Sequence, residues 1–231
     1  MLAMALNLNQ TERIEIGQEQ RCVLRAHNVF DAPQHIIDAA AAARFARINP
    51  HYPGIRAEVG SDLLKSLCDG LARIADEAFG IDAQSWEGQA WFSLVTLPPG
   101  ELTPIQRLPH FDGFDQNQLA VMIYLNHSGH GGTSFYRHNS TGFEAVTEQR
   151  YPKYKSALEA DIGKSGLPPA AYIQTGAPTF ERIAEFEPDY NSLIFYHCTS
   201  LHSGAIRNNL PLSSDPRSGR LTVNGFFRPR P

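Results

Sequence analysis

The chain has 231 residues, of which 42% are apolar and 19% charged, and this composition suits one globular domain with a substantial core. Its net charge is −4 and its 20 Lys and Arg residues are scattered, which disfavours a nucleic-acid partner. Segment 1–17 lacks the basic and apolar regions of a signal peptide, and no later stretch approaches the ~18 apolar residues of a membrane span. We therefore expect a soluble, cytoplasmic protein without a membrane partner.

The cysteines bear on the cellular compartment. Cys22, Cys68 and Cys198 are an odd number and have no metal-like spacing. This pattern disfavours a disulfide framework and favours a reducing compartment. We expect the three side chains to pack as small buried hydrophobic groups.

The first elements in chain order are a strand and a helix. An apolar-rich segment at 21–30 is typical of a strand, and it leads into a helical pattern over 31–48. Asp31 is placed to cap this helix, and Pro33 fits its first turn.

A second helix is predicted over 61–80, with Ser61 as its cap and Gly80 as its stop. One face of this helix is apolar, and we expect it to cover a sheet. Residues 1–85 are thus predicted to form a helical support with one N-terminal strand. The residues of the apolar face are Leu63, Leu64, Leu67, Leu71, Ile74, Ala75 and Ala78.

From residue 86 onward the pattern changes to short strands separated by Gly, Pro and Asn, as in a sandwich or barrel. Residues 139–178 interrupt them with a helix-like stretch at 147–163, and an excursion of this length is usually a lid, a binding loop or disordered. The order of elements predicts one α+β domain, 1–231, with a mainly antiparallel β core over 86–231. The predicted strands are 89–97, 118–126, 132–138, 191–197 and 220–227.

A short motif, His110-Phe111-Asp112, stands between a Pro-rich turn and the next strand. In an extended chain, residues two apart point to the same face, so His110 and Asp112 can reach one point. Two imidazoles and one carboxylate form the facial triad that leaves coordination positions open on non-haem Fe(II). The third ligand has to come from elsewhere in the chain.

Several motifs in order resemble the 2-oxoglutarate/Fe(II) oxygenase superfamily, with the prolyl-hydroxylase-like branch the most similar. The resemblance covers roughly residues 89–228. It implies a double-stranded β-helix (jelly-roll) fold and an Fe(II) ion held by His110, Asp112 and His202. The motifs are LPHFD (108–112), AVMIYLN (120–126), GGTSFY (131–136), NSLIFYH (191–197), LHSG (201–204) and GRLTVNGFF (219–227).

The resemblance also implies a basic residue that binds the distal carboxylate of 2-oxoglutarate on the strand after the second His. Arg220 occupies that place, and a guanidinium matches a carboxylate with paired donors. The insertion between His202 and Arg220 leaves Arg207 as a rival, and an ion pair between Arg220 and an acidic neighbour is a further alternative.

Strand alternation gives an independent argument for the cosubstrate pocket. Tyr124 and Asn126 lie on the polar face of one strand, and Thr222 shares a face with Arg220 and Asn224 on another. If helices cover the opposite, aliphatic faces, these polar faces line the lumen where a hydrophilic cosubstrate binds. We therefore expect Arg220, Tyr124, Asn126 and Thr222 to bind the cofactor.

The function implied by the resemblance is that of a dioxygenase that uses Fe(II), 2-oxoglutarate and O₂ to hydroxylate a small-molecule or peptidyl substrate. Because related halogenases lack the carboxylate ligand, Asp112 disfavours halogenation. Two alternatives stay open: a cupin-like metalloenzyme without 2-oxoglutarate, and a non-catalytic jelly-roll that binds a carbohydrate or protein through 139–178. The sequence leaves the substrate and the oligomeric state undetermined.

Other histidines and tyrosines have competing interpretations. His197 shares a strand face with apolar residues, which favours a buried role or one behind the metal ligands. His127, His130 and His138 flank a Gly-rich turn, and solvated histidines are more common there than a second metal site. The tyrosines of the excursion fit either substrate contact or ordinary packing. They are Tyr151, Tyr154 and Tyr172.

Overall fold

A computed structural model describes residues 5–126 and 129–230 of the chain. Its helices are α1 (Pro33–Ala42), α2 (Ser61–Phe79) and α3 (Tyr151–Ser165), with short 3-10 turns at Pro99–Glu101 and Pro104–Arg107. Its strands are β1 (Thr11–Ile16), β2 (Arg21–His27), β3 (Gly54–Glu58), β4 (Trp86–Val95), β5 (Leu119–Tyr124), β6 (Thr133–His138), β7 (Gly176–Ala177), β8 (Phe180–Phe186), β9 (Ser192–His197), β10 (His202–Gly204) and β11 (Leu221–Pro229).

The strands form two antiparallel sheets. In the described residues the larger sheet has the order β1-β2-β9-β5-β11-β4-β3, and the smaller sheet has the order β10-β6-β8-β7. From β5 onward the chain passes back and forth between the sheets, as in a double-stranded β-helix. The predicted α+β class and jelly-roll core are therefore confirmed.

Helices α1 and α2 cover the outer face of the larger sheet. The α2 side chains Leu67 and Leu71 are fully buried in one cluster that also contains Val223 and Phe227 of β11. Gly80 ends α2 in the left-handed conformation at φ +66°, as the sequence predicts. Burial of apolar area on this face is the main stabilising contribution to the layer.

Between the two sheets lies a second, partly aromatic cluster. It joins Tyr124 and Tyr196 of the larger sheet to Phe135 and Phe186 of the smaller one. The side chains that alternate with the outer aliphatic residues of β5 and β11 thus face the space between the sheets. This is the face that strand alternation predicts to line the lumen, and in the structure it carries aromatic as well as polar side chains.

The N-terminal third contributes more to the larger sheet than the single predicted strand. Strands β1 and β3 also pair into it, at its two edges. Both are short, and in each only two apolar residues of the strand alternate with charged ones, Ile14 and Ile16 in β1 and Ile55 and Ala57 in β3, which is too brief a pattern to predict a strand. Helix α1 is shorter than predicted and ends at Ala42, and its N-cap is Ala32, without the expected side-chain cap from Asp31.

The excursion is packed onto the outer side of the smaller sheet. Helix α3 contributes Tyr154 to a cluster with Tyr136 of β6 and Phe180 of β8. The preceding loop is fixed by Glu144, which is 1% exposed and accepts hydrogen bonds from the backbone N–H groups of Gln18 and Glu19. Residues 139–178 are therefore an ordered layer.

The cysteines are free, with Cys22 and Cys198 buried and Cys68 half-buried. Among the described residues, no helix combines the length and the apolar character that crossing a bilayer requires.

Candidate metal centre and cosubstrate pocket

Main-chain hydrogen bonds hold the His110–Asp112 segment against the strand that carries His202. The N–H of His110 donates to the His202 carbonyl at 2.9 Å, and the N–H of His202 donates to the His110 carbonyl at 2.8 Å. The N–H of Asp112 donates to the Cys198 carbonyl at 2.8 Å. Phe111 packs in the opposite direction, toward the α3 cluster. The alternation predicted for the motif is present, and it places His110 and Asp112 on one side.

The three side chains converge on one point. His110 Nε2 lies 3.7 Å from Asp112 Oδ1, and His202 Nε2 lies 3.4 Å from Asp112 Oδ2. One ligand atom from each of the three residues lies within 4.8 Å of the others. His202 Nδ1 is 3.0 Å from the Ser200 carbonyl, which can only accept, so Nδ1 carries a proton and the neutral ring would present the lone pair of Nε2. Such a cluster can hold a divalent metal.

The electrostatics of the cluster fit this role. Desolvation, followed by the His202 ring and the Arg56 charge, holds the pKa of His110 well below its usual range. A lowered pKa favours the neutral imidazole, which is the form that binds metals. Burial raises the pKa of Asp112, and the charges of His202 and Arg56 oppose that rise. The side chains of His110, Asp112 and His202 are 50%, 15% and 8% exposed.

Arg220 is the most unusual charged residue in the lumen. It is 3% exposed, and its Nε and Nη2 groups donate to the carbonyls of Gly131 and Gly132 at 2.9 and 2.8 Å. No carboxylate of the described residues lies within 4.0 Å of it. A buried charge without a counterion is strongly unfavourable, so this guanidinium is suited to an anionic ligand.

The two glycines that hold Arg220 explain the Gly-Gly motif. A Cβ on Gly131, where φ is +77°, would lie 2.0 Å from the Ala205 carbonyl oxygen. A Cβ on Gly132 would lie 1.7 Å from the carbonyl oxygen of Phe186. Only glycine permits this close approach of backbones, and the approach aims two carbonyls at Arg220. Sequence reasoning did not connect this motif with Arg220.

The other predicted pocket residues lie nearby. The Tyr124 hydroxyl is 2.7 Å from Thr133 Oγ1, and burial raises its pKa to about 12, with the Arg220 charge acting in the opposite direction. Thr222 is fully buried and pairs with Tyr124 across β11 and β5. Asn126 is 4% exposed, just after β5. Tyr124 therefore lies within electrostatic reach of the buried Arg220, and Thr222 lies two residues from Arg220 along the chain.

Arg207, the rival of Arg220, lies at the surface. Its side chain is 55% exposed and is 4.0 Å from Glu187. A solvated arginine of this kind lacks the desolvated setting that strengthens carboxylate binding. Arg220 is the better placed of the two for an anion in the lumen.

His138 and His197 lie apart from the triad. His138 contacts Asp161 at 3.3 Å and Thr141 at 2.9 Å on the α3 side of the smaller sheet. His197 packs edge-on against Phe79, its ring centroid 5.1 Å away, and burial lowers its pKa to about 4. His127 lies outside the described residues.

The tyrosines of the excursion have different environments. Tyr154 is buried in the α3 cluster, and the Tyr172 hydroxyl donates to the Leu97 carbonyl at 2.6 Å. Tyr151 is 37% exposed and packs beside Phe114, whose ring centroid is 5.1 Å away. Packing thus accounts for Tyr154 and Tyr172, while Tyr151 stays accessible near the Asp112 segment.

A polar row crosses the larger sheet, and sequence reasoning missed half of it. Arg56 of β3 pairs with Ser93 of β4, Ser93 pairs with Thr222 of β11, and Thr222 pairs with Tyr124 of β5. Directly paired residues share a face, so all four side chains face the lumen. Tyr52, just before β3, is near the row, since its pKa responds to Arg56 and Arg220 after the dominant effect of burial.

Comparisons with solved structures agree with this architecture. The chain is similar to SnoN, a non-haem α-ketoglutarate-dependent epimerase from nogalamycin biosynthesis crystallised with Fe³⁺, α-ketoglutarate and nogalamycin RO. The TM-score is 0.52 at 14% identity, over 91% of this chain and 80% of SnoN. It is also similar to HygX from Streptomyces hygroscopicus, crystallised with nickel, 2-oxoglutarate and hygromycin B, with a TM-score of 0.50 at 12% identity, over 91% of this chain and 84% of HygX. These likenesses show the fold.

Comparison with sequence families identifies the chain more directly. No curated protein matches it. One family model, described as a family of unknown function, matches residues 8–227, which is nearly the whole chain. The chain therefore belongs to the DUF6445 family.

Proposed function

We propose that this protein is an Fe(II)- and 2-oxoglutarate-dependent dioxygenase that hydroxylates a small-molecule or peptidyl substrate. The observation that carries the proposal is Arg220, a buried guanidinium with no carboxylate within 4.0 Å among the described residues. A buried charge without a counterion is strongly destabilising, and a bound anion would compensate it. A dicarboxylate that chelates a metal with one end supplies the missing counterion with the other.

The triad fits iron. His110 and His202 would provide two neutral imidazoles and Asp112 one carboxylate, which is the donor set of non-haem Fe(II) sites with open positions. The bond from His202 Nδ1 to Ser200 fixes the ring for coordination through Nε2. When bound, iron with 2-oxoglutarate and O₂ supplies the oxidising chemistry, and the chain supplies position, charge and shelter from water. Asp112 would occupy the coordination position that a halide takes in related halogenases, so we propose hydroxylation rather than halogenation.

The lumen supplies the cosubstrate contacts. Arg220 would donate to the distal carboxylate of 2-oxoglutarate, and the Tyr124 hydroxyl, which stays protonated with its pKa at about 12, would donate a further hydrogen bond. Thr222 and Asn126 would line the same end. The glycine carbonyls keep Arg220 in place before the ligand arrives, which lowers the entropy lost on binding.

The cellular setting is part of the proposal. Scattered charges and three free cysteines support a cytoplasmic enzyme without a nucleic-acid or membrane partner. A cupin-like enzyme without 2-oxoglutarate would leave Arg220 unexplained. A non-catalytic module that binds through 139–178 would leave the triad unexplained.

The proposal is tested by anaerobic titration with Fe(II) and 2-oxoglutarate, following the weak visible charge-transfer band of the chelate. We expect the wild type to give a saturable band, Asp112→Ala to lose the metal, and Arg220→Met to bind iron but to weaken 2-oxoglutarate. Truncating one partner of a buried charge pair costs about 2–5 kcal/mol, or ~30-fold to several thousand-fold in Kd. Arg207→Met is the matched control and should titrate like the wild type. Absence of a band in the wild type would refute the proposal.

A further inference from the structure

We propose that Trp91, Asn224 and Phe226 form a substrate-binding wall in the lumen and that the substrate presents a planar ring with an N–H or O–H donor. The inference rests on the proposed function, because it assigns a substrate to that same site. It is carried by one buried amide oxygen without a partner and by aromatic side chains that face the lumen yet are only half-buried.

Asn224 has a buried acceptor without a partner. The residue is 8% exposed, and its Oδ1 atom has no hydrogen bond among the described residues. Its side chain faces the lumen because it lies on the same face of β11 as Thr222. A buried amide oxygen that lacks a donor is unfavourable, so Asn224 Oδ1 is suited to accept an N–H or O–H group from a ligand.

Half-buried apolar side chains flank Asn224. Register pairing puts Trp91 of β4 directly opposite it on one side and Met122 of β5 on the other. Phe226 follows two residues later on the same face, and its ring centroid lies 6.0 Å from that of Trp91. These three apolar side chains are half-buried although they face the smaller sheet. Solvent therefore reaches them inside the lumen, and a ligand can replace it there.

The wall lies level with a metal ligand along the strands. The ring centroid of Tyr196 on β9 is 5.0 Å from that of His202. Tyr196 pairs with Ala120 of β5, and Ala120 pairs with Phe226 of β11. Phe226 is thus in the same row as Tyr196, two strand spacings or about 10 Å away. A substrate seated on the wall would approach the metal from the side.

The aromatic part of the wall is separate from the end of the lumen proposed for 2-oxoglutarate. Thr222 and Tyr124 pair at that end, and neither residue is more than 1% exposed. Phe226 lies four residues beyond Thr222, which is about 13 Å along a strand. Trp91 lies on β4, on the side of β11 that faces away from β5 and β9. A cosubstrate that runs from Arg220 toward the metal thus leaves both aromatic rings to the substrate.

The chemistry of Asn224 also indicates a substrate rather than the cosubstrate. At neutral pH 2-oxoglutarate has only acceptor oxygens, in its two carboxylates and its keto group, so it has no hydrogen to donate to Asn224 Oδ1. Aromatic rings such as those of Trp91 and Phe226 favour offset or edge contacts with another ring, and the Met122 thioether also packs well against one. A planar ring with a donor satisfies both requirements.

The test compares indole with benzofuran, a ring system of the same shape in which an oxygen atom replaces the N–H donor. Ligand-observed NMR measures their binding to protein loaded with 2-oxoglutarate and with Zn(II), a diamagnetic substitute for iron. We expect indole to bind at least about fivefold more tightly than benzofuran. Asn224→Leu should remove this preference, whereas Trp91→Ala should weaken both ligands by about fivefold or more and keep the preference.

Phe114→Ala is the matched control. Phe114 is 39% exposed and packs beside Tyr151 on the α3 side, so its loss should leave both affinities unchanged. Three results would overturn the inference. One is equal binding of indole and benzofuran to the wild type, and another is a preference for indole that survives in Asn224→Leu. The third is binding that is lost in Phe114→Ala but kept in Trp91→Ala, which would place the ring on the outer surface.

The anaerobic titration with Fe(II) and 2-oxoglutarate separates failure of this inference from failure of the proposed function. Urea unfolding first shows that Asn224→Leu is folded, and this variant should keep the Kd for 2-oxoglutarate within about twofold. A larger loss in the folded variant would place Asn224 in the cosubstrate site and overturn the assignment to substrate. If the wild type gives no chelate band, the proposed function fails, while the comparison of indole with benzofuran still reports on Asn224.

Discussion

Substitution of Gly131 by Ala tests the link between the Gly-Gly turn and the cosubstrate pocket. The φ of +77° costs a residue with a Cβ about 1–2 kcal/mol. The new Cβ would also lie 2.0 Å from the Ala205 carbonyl oxygen, whereas carbon and oxygen normally approach to about 3.3 Å. The turn therefore has to move away from Ala205 by roughly 1 Å or more.

This movement has two measurable consequences. It weakens the hydrogen bond from the Ala205 N–H to the Gly132 carbonyl, now 3.1 Å, which contributes about 1 kcal/mol. With the cost of φ, we expect Gly131→Ala to lose about 2–3 kcal/mol of unfolding free energy. It also displaces a carbonyl that positions Arg220, so the Kd for 2-oxoglutarate should rise about tenfold or more.

Gly142→Ala is the matched control. Its φ is +73°, nearly that of Gly131, but no atom lies within 4 Å of its added Cβ. It should lose only about 1–2 kcal/mol and keep its affinity for 2-oxoglutarate. Urea unfolding measures the first quantity, and the anaerobic titration measures the second. If both variants lose equal stability and both keep their 2-oxoglutarate affinity, the Gly131 carbonyl does not position Arg220.

Three further predictions concern single side chains. Burial lowers the pKa of His197 to about 4 in the folded protein, whereas the ordinary value of 6.5 applies when the chain is unfolded. The contribution of neutral His197 to the unfolding free energy is thus fully present above pH 6.5 and is lost as the pH falls toward 4, by at most about 2 kcal/mol between pH 7 and 5. Urea unfolding at pH 7 and pH 5 should show a smaller loss of unfolding free energy between the two pH values for His197→Phe than for the wild type. An equal loss in both proteins would contradict this prediction. Glu144→Gln should lose about 2–4 kcal/mol in the same assay because its buried carboxylate binds two N–H groups and Arg137, whereas exposed Glu148→Gln should change little. Tyr124→Phe should weaken 2-oxoglutarate about five- to tenfold in the anaerobic titration with iron binding kept, and equal loss of both would point to misfolding.

Sequence patterns predicted those helices and strands whose own residues show a helical period or a strand alternation of apolar side chains. The apolar face of α2 and the alternation in β5 and β11 fall in this group, because burial of one face imposes the period. The pairing of His110 with Asp112 followed from their spacing in an extended chain. His202 and Arg220 were placed through the order of several motifs.

The rest depends on contacts between distant parts of the chain. Gly131 accepts a hydrogen bond from Arg220, 89 residues away, and neither residue reveals this by itself. Arg56 reaches the lumen only because β3 pairs with β4 at the sheet edge. The alternation around Arg56, with Ile55 and Ala57 on its two sides, spans only a five-residue strand, and nothing in it identifies the partner strand.

The most direct test of the account is the formation of succinate when air is admitted to the protein loaded with Fe(II) and 2-oxoglutarate. We expect 2-oxoglutarate to be converted to succinate, the conversion to require iron, and Asp112→Ala and Arg220→Met each to abolish it at limiting 2-oxoglutarate. Iron bound by His110, Asp112 and His202 with no consumption of 2-oxoglutarate would contradict the account and favour a metalloprotein of another kind.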